Sequence, residues 1–93
     1  MQGVNGLEIT DIKVKKLNNL GRLVGEASIT INGCLVIHNI KIIQLDDKKI
    51  ASFPQKQLPS GNNVDVVHPI TSEFRRYVEE TIFSIYDNGE VVE

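Results

Sequence analysis

The chain has 93 residues, of which 41% are hydrophobic and 24% are charged, a composition typical of one small globular domain. Its apolar stretches are too short for a helix that spans a bilayer, and residues 1 to 11 lack the basic start and apolar block of a signal peptide. We therefore expect a cytoplasmic protein with a single domain over residues 1 to 93 and flexible ends at 1 to 6 and 88 to 93.

Charge is distributed unevenly along the chain. All ten Lys and Arg residues lie within residues 1 to 78, which also contain seven acidic residues, whereas residues 79 to 93 carry five acids and no base. The formal net charge of -2 argues against an indiscriminate phosphate binder. The weakly basic body nevertheless leaves room for a local anion-binding face.

The first predicted strand alternates apolar and cationic residues. The segment IKVKK at residues 12 to 16 has a period of two, which predicts a strand over about Leu7 to Leu17 with one apolar and one cationic face. Ile9 is out of phase with this alternation, and a bulge near Asp11 would reconcile the two parts. Residues 18 to 21 are expected to form the turn that follows.

A β-hairpin is the clearest prediction in the chain. Residues 23 to 31 alternate apolar and polar side chains, and Asn32 and Gly33 follow directly, a pair that suits a type I′ turn because both positions need positive φ. The returning segment, Cys34 to Ile43, is apolar on both faces, so we expect a central strand that is covered on both sides. Cys34 itself is interpreted as a small buried residue rather than as a nucleophile.

After this hairpin the pattern predicts shorter elements. Residues 50 to 53 are expected to form a short strand that Pro54 ends or places at an edge of the sheet. Residues 55 to 63 are interpreted as an exposed loop, and residues 64 to 67 as a last short extended segment.

A C-terminal helix is predicted over about Ser72 to Tyr86. Thr71 or Ser72 is a suitable N-cap, and Gly89 is the expected stop. The apolar residues that recur at helical spacing are Phe74, Val78, Ile82 and Ile85. Together the elements predict an α+β fold in which a small antiparallel sheet of four to five strands is covered by this one helix.

No sequence pattern marks a catalytic or metal site. No nucleophile is paired with a base, and neither a glycine-rich phosphate loop nor a metal-ligand spacing occurs. A zinc site built from Cys34, His38 and His68 would need a fourth ligand that nothing marks. His38 is instead expected to be a hydrogen-bonded core residue and His68 a local structural contact. We expect no enzyme activity, cofactor, metal or small-molecule substrate.

Several segments carry a family resemblance through their order and spacing. ITDIKVKKLNN is followed by GR, ASIT, LVIHNIKII, FPQK and finally DVVHPI before the helix. Across about residues 8 to 86 the chain resembles the stage V sporulation protein G family of septation regulators. The resemblance implies a sequence-preferring DNA-binding protein, with RNA binding also attributed to the family, that acts in gene regulation and cell-division control. It also implies a homodimer formed through sheet edges.

The resemblance further implies where nucleic acid is contacted. In the family, basic residues in the loop after the fourth strand and at the start of the final helix bind it, which corresponds here to Lys56 and Arg75. Gln57 and Tyr77 depart from the pattern, because family members commonly carry a basic residue at each position. Arg76 lies one position before Tyr77 and can substitute for that cation.

Each cationic candidate also has a structural interpretation. Arg75 and Arg76 each precede a Glu by four residues, and such exposed ion pairs contribute only about 0.3 to 0.5 kcal/mol. Lys13, Lys15 and Arg22 could form a stripe suited to a phosphate backbone, or a solvated edge that charge protects from aggregation. For the whole chain, the alternative function is a protein-interaction module that binds a partner by strand addition.

Overall fold

The computed structural model describes residues 3 to 17 and 21 to 88. The predicted turn at residues 18 to 20, the helix stop at Gly89 and the outermost residues of both predicted flexible ends lie outside the described residues. Within the described ranges the elements are β1 (Ile9–Lys16), β2 (Leu23–Ile31), β3 (Leu35–Gln44), β4 (Lys49–Ser52), β5 (Gln55–Gln57), β6 (Asn63–Asp65) and α1 (Ser72–Asn88).

The main sheet is antiparallel and has the order β1-β2-β3-β4, so β1 and β4 are its edges. β5 and β6 form a separate two-stranded sheet. This arrangement confirms the predicted α+β fold with a C-terminal helix, and it confirms the prediction that the strand before Pro54 lies at an edge.

Register shifts interrupt the strand pairing at three places, one of them between Leu23 and Gly25 of β2. In β1, Ile9 pairs with Ile31 and Asp11 pairs with Thr30, which leaves Thr10 as the extra residue and confirms the predicted bulge. In β3, the bulge falls at His38 and Asn39, between the pairs Ala27–Ile40 and Ile29–Ile37. Asn39 has a φ of 64°, a left-handed conformation that Asn tolerates better than most residues.

The turn between β2 and β3 has the predicted form. Asn32 and Gly33 have φ values of 53° and 67°, and the Cys34 N–H donates to the Ile31 carbonyl at 3.0 Å. Cys34 is exposed, so the prediction of a buried cysteine is wrong. The reason is positional, because Cys34 belongs to the tip of the hairpin rather than to the covered part of the sheet.

The helix packs on one face of the main sheet and buries a continuous apolar layer. Helix formation begins with Thr71, whose hydroxyl accepts the Phe74 N–H at 3.2 Å and confirms the predicted N-cap. Full burial of a Val or Ile side chain stabilises the fold by about 1.5 to 3 kcal/mol. The most deeply buried side chains are Val14, Ile29, Ile40, Ile42, Val78 and Ile82.

The opposite face of the main sheet is open, and the prediction that β3 is covered on both sides is wrong. Val36 remains 45% exposed, and His38 is exposed rather than a core residue. His38 does have the expected hydrogen-bond partner, because its Nδ1 lies 3.2 Å from the Ser28 hydroxyl. The helix covers the face that carries Ile40 and Ile42, and none of the other described elements covers the second face.

The predicted loop at residues 55 to 63 contains a strand. β5 pairs with β6, and the Gln55 side chain donates to the Asp65 carboxylate at 3.0 Å. β5 is an exposed polar strand of three residues without apolar periodicity, so the pattern did not reveal it, whereas β6 overlaps the extended segment predicted at residues 64 to 67. His68 makes the expected local contact, with its Nδ1 3.4 Å from Asp65 Oδ2.

The N-terminal segment connects the hairpin tip to the helix start. Val4 and Leu7 pair across a tight turn, and the Asn32 side chain donates to the Gly6 carbonyl at 3.3 Å. On the other side, the Thr71 hydroxyl donates to the Asn5 side-chain oxygen at 2.8 Å.

The flexibility expected for the ends stays a prediction. No helix in the described ranges is long and apolar enough to cross a membrane.

Candidate nucleic-acid interface

The cations implied by the resemblance lie around the start of α1. Arg75 and Arg76 belong to its first turns, and the Arg75 guanidinium carbon lies 5.9 Å from the centre of the Phe53 ring. Phe53 follows β4 directly, and Lys56 comes three residues later on β5, where it is exposed. The chain therefore brings the helix start near the segment that leads into β5. We call Lys56, Arg75 and Arg76 the helix-start cations.

The ion pairs considered for these arginines are not formed. All four residues concerned are described, yet neither Arg75 with Glu79 nor Arg76 with Glu80 has an N–O distance within 4.0 Å. The Glu79 carboxylate instead accepts the backbone N–H of Ala51 in β4 at 3.2 Å. Arg75 rests on an aromatic ring, a contact that contributes about 0.5 to 1 kcal/mol at an exposed site.

A second group of cations lies on the open face of the main sheet. Lys13 pairs with Ser28 and Lys15 pairs with Glu26, so both lysines stand on the solvent side of β1. Lys41 of β3 pairs with Glu26 from the other side. The sequence interpretation missed Lys41, although its position between the inward-facing Ile40 and Ile42 would have placed it outward.

Arg22 stands apart from Lys13 and Lys15. Its guanidinium lies 3.4 Å from the Asp46 carboxylate in the turn between β3 and β4, and its carbonyl accepts the Gln44 N–H at 2.8 Å. The two charged side chains are 60% and 95% exposed, so this pair contributes little to stability. The structure thus brings two of the three proposed stripe residues onto one face and places the third beside a turn.

A polar notch lies where the open face meets the segment leading into β5. It has a volume of about 380 Å³ and takes its walls from β2, β3, β4 and β5. One of its lining residues, Gln55, immediately precedes Lys56 in the chain. Its polar lining includes the side chains of Glu26, Asn39, Lys41, Ser52 and Gln55.

An apolar groove of about 370 Å³ opens beside the helix N-terminus. Within the described chain its lining contains no Lys, Arg, Asp or Glu. Leu35 shares the inner face of the sheet yet stays 57% exposed at the end of this groove, and Ile70 is 89% exposed. The groove is formed chiefly by Leu7, Leu35, Ile37, Val67, Ile70 and Phe74.

The two tyrosines of the chain, Tyr77 and Tyr86, both make contacts within the fold. The Tyr86 ring lies under the ammonium groups of Lys16 and Lys49, at 4.8 and 5.5 Å from its centre. Tyr77 packs against Phe74 with 5.8 Å between ring centres. Both rings are therefore interpreted as parts of the fold rather than as platforms for base stacking.

These features define a class of small α+β proteins in which a C-terminal helix covers one face of an antiparallel sheet. Cations lie near the helix start and on the open face of the sheet. Residues 7–88 match the model of the family described as SpoVG. The chain belongs to the SpoVG family, as the sequence resemblance indicated.

Individual relatives match over most of their length. A protein of Caldicellulosiruptor saccharolyticus named "Putative septation protein SpoVG" is 32% identical over 81 residues, which cover 87% of this chain and 92% of the relative. The protein of the same name from Macrococcus caseolyticus is 33% identical over 94% of this chain and 76% of its own length. The Staphylococcus aureus protein of that name is 29% identical over 92% of this chain and 86% of its own length.

Proposed function

We propose that this protein is a non-enzymatic cytoplasmic regulator that binds DNA, and also RNA, as a homodimer. Its relatives are named for septation, which supports a role in septation or sporulation-type control of cell division. Gene regulation through nucleic-acid binding is the mechanism that the family resemblance implies. No small-molecule substrate, cofactor or membrane contact is part of this proposal.

The observation that carries the proposal is the state of the helix-start cations. In the part of the chain that the structure describes, none of the three has a carboxylate oxygen within 4.0 Å. The N-terminus of a helix carries a partial positive charge, so Arg75 and Arg76 are repelled by the helix dipole. A bound phosphate would relieve this repulsion and accept charge-assisted hydrogen bonds from the guanidinium groups.

The cations on the open sheet face extend the same proposal. Lys13 and Lys15 stand next to each other on the outer side of β1, and phosphate groups along a nucleic-acid strand can contact such a row. Arg22 contributes a further cation at the turn side of the sheet. Such phosphate contacts position the protein on nucleic acid without reading its sequence.

A homodimer would strengthen binding that is weak in one copy. Two-fold symmetry repeats the same cations, and the second contact then benefits from a high effective concentration. The apolar groove supports self-association, because a two-fold contact through a surface without formal charges sets no like charges against each other. The sheet edges at β1 and β4 are the alternative contact surfaces that the resemblance implies.

The second candidate function is a protein-interaction module without nucleic-acid binding. Its support is the apolar groove together with the net charge of -2. Salt dependence separates the two functions. Phosphate contacts release counterions, so nucleic-acid binding weakens steeply as salt rises, whereas burial of apolar surface does not.

The test is a fluorescence-anisotropy titration of pooled duplex DNA and pooled RNA fragments at low and at physiological salt. Wild type is compared with the Arg75→Ala, Arg76→Ala double variant, whose folding is checked by circular dichroism. We expect salt-sensitive binding that the double variant largely loses. Absence of binding at low salt would reject the nucleic-acid proposal in favour of the interaction module.

A further inference from the structure

We propose that the polar notch on the open sheet face binds the guanine base of an unpaired nucleic-acid strand. This inference rests on the proposed nucleic-acid binding and adds base recognition to it. The notch shares the open sheet face with the proposed phosphate-binding residues Lys13 and Lys15, because its wall residue Glu26 is the cross-strand partner of Lys15. A strand whose phosphate contacts Lys15 therefore has a base within reach of the notch.

The volume of the notch suits one base. At about 380 Å³ it is at the lower end of the range for small-molecule sites. A duplex presents its base edges at the floor of a groove, and they cannot enter a recess in a protein surface. A base that leaves the stack can enter it, and RNA is commonly recognised through such splayed bases.

Two opposite charges stand side by side at the notch. Glu26 and Lys41 are cross-strand partners on the open face, with Lys15 on the other side of Glu26. Although all three residues are described, no N–O distance within 4.0 Å joins Glu26 to either lysine. The carboxylate and the ammonium of Lys41 therefore both retain capacity for a ligand.

Guanine is the base whose Watson–Crick edge fits this pair. Its N1–H and N2–H donors are adjacent and match the two oxygens of the Glu26 carboxylate, while its O6 accepts from the Lys41 ammonium. Adenine and cytosine each place an unprotonated ring nitrogen beside the amino group, and that lone pair would face a carboxylate oxygen. Hydrogen bonds to ionised groups are stronger than neutral ones, so the mismatch is penalised.

The remaining walls are suited to holding a base in place. Asn39 lies at the β3 bulge, and its exposed side chain makes no hydrogen bond to the described residues. Bulges commonly re-aim a side chain toward a site. The Gln55 amide group is fixed by its bond to Asp65, which leaves its carbonyl oxygen as an acceptor, and Pro54 supplies an apolar wall.

The test measures binding of a labelled uridine oligonucleotide with one central guanosine, and of the same oligonucleotide with inosine or adenosine there. Inosine lacks only the N2 amino group, so it isolates one of the two bonds to Glu26. For wild type we expect about tenfold tighter binding of the guanosine strand, in line with the discrimination of a good bidentate contact. Equal affinity for guanosine and inosine overturns the inference.

Glu26→Gln is the decisive variant, because it keeps the size of the side chain and removes the second strong acceptor. We expect it to bind the guanosine and inosine strands alike, without a loss of affinity for the adenosine strand. Asp47→Asn, in the exposed turn between β3 and β4, removes the same charge and should keep the preference. A Glu26→Gln variant that still prefers guanosine would contradict the assignment, as would tighter binding of the matching duplex.

The failure of this inference can be told from the failure of the proposed function. Salt-sensitive binding without any preference for guanosine leaves the helix-start cations as the binding site and rejects the base site. Absence of binding to every strand at low salt rejects both.

Discussion

The hydroxyl oxygen of Tyr77 in α1 accepts the backbone N–H of Ile9 in β1 at 2.8 Å. At the other edge of the sheet, the Glu79 carboxylate accepts the backbone N–H of Ala51 in β4 at 3.2 Å. Two side chains of one helix thus occupy backbone donors of both edge strands. Unpaired edge groups favour pairing with other chains, so these bonds restrict where strand addition can occur.

The bond between Tyr77 and Ile9 predicts that Tyr77→Phe lowers the free energy of unfolding by about 1 to 2 kcal/mol, because a largely buried N–H loses its acceptor. Urea denaturation monitored by circular dichroism measures this change. Tyr86→Phe is the matched control, since the Tyr86 hydroxyl makes no hydrogen bond to the described residues. Equal stability of both variants and wild type would show that water replaces the hydroxyl at no cost.

Gly25 of β2 lies in close contact with β1, β3 and the helix side chain Tyr86. A Cβ atom there would lie 3.0 Å from the Lys15 carbonyl oxygen and 3.2 Å from Tyr86 Cε2. We expect Gly25→Val to destabilise the fold by about 1 to 3 kcal/mol through overpacking. Thermal unfolding should show a clear decrease in Tm. Gly21→Val is the control, because a Cβ at Gly21 meets no atom within 4 Å, and a similar loss in both variants would argue against the close contact.

Arg76 is an exposed helix-start cation without a carboxylate partner among the described residues. If it contacts a phosphate, Arg76→Ala weakens DNA binding and lowers the slope of log K against log salt by about 1 for each phosphate that is no longer neutralised. Anisotropy titrations at several salt concentrations give this slope. Lys48→Ala removes one cation from the exposed turn between β3 and β4 and should leave the slope unchanged; an equal effect of both variants would indicate a response to net charge alone.

Ile70 is 89% exposed at the apolar groove, so its replacement leaves the monomer core intact. If the groove forms the proposed dimer contact, Ile70→Asp weakens self-association at least tenfold, because a two-fold contact would bring two new carboxylates together. Sedimentation equilibrium measures the dimer dissociation constant. Ser60→Asp adds the same charge in the turn between β5 and β6. Unchanged self-association in both variants would assign the dimer contact to the sheet edges.

The sequence predicted those elements that have a clear periodicity. Apolar residues recur with a period of two in β2 and of 3.6 in α1. The pair Asn32 and Gly33 suits few backbone conformations other than its turn. β5 was missed because its stability depends on pairing with β6 and not on an apolar face. An apolar run such as β3 does not show whether the rest of the chain covers one face of the sheet or both. The open face of the sheet was therefore also missed.

The candidate sites were predictable to different degrees. Lys56 and Arg75 follow from the resemblance, but their lack of acidic partners becomes visible only in three dimensions. The notch brings Glu26 and Lys41 from separate strands beside Gln55, and their pairing depends on the register of β2 and β3. A one-residue error in the register of β3 would have placed Lys41 in the core, away from Glu26.

The contacts of the N-terminal segment have a consequence for synthesis on the ribosome. Asn5 and Ile9 leave the exit tunnel well before their partners Thr71 and Tyr77, which are 66 and 68 residues further along the chain. The backbone N–H of Ile9 therefore has no acceptor until the helix has emerged. Such long-range contacts also form late in refolding. During translation, β1 of the nascent sheet is exposed to neighbouring chains until α1 has been made.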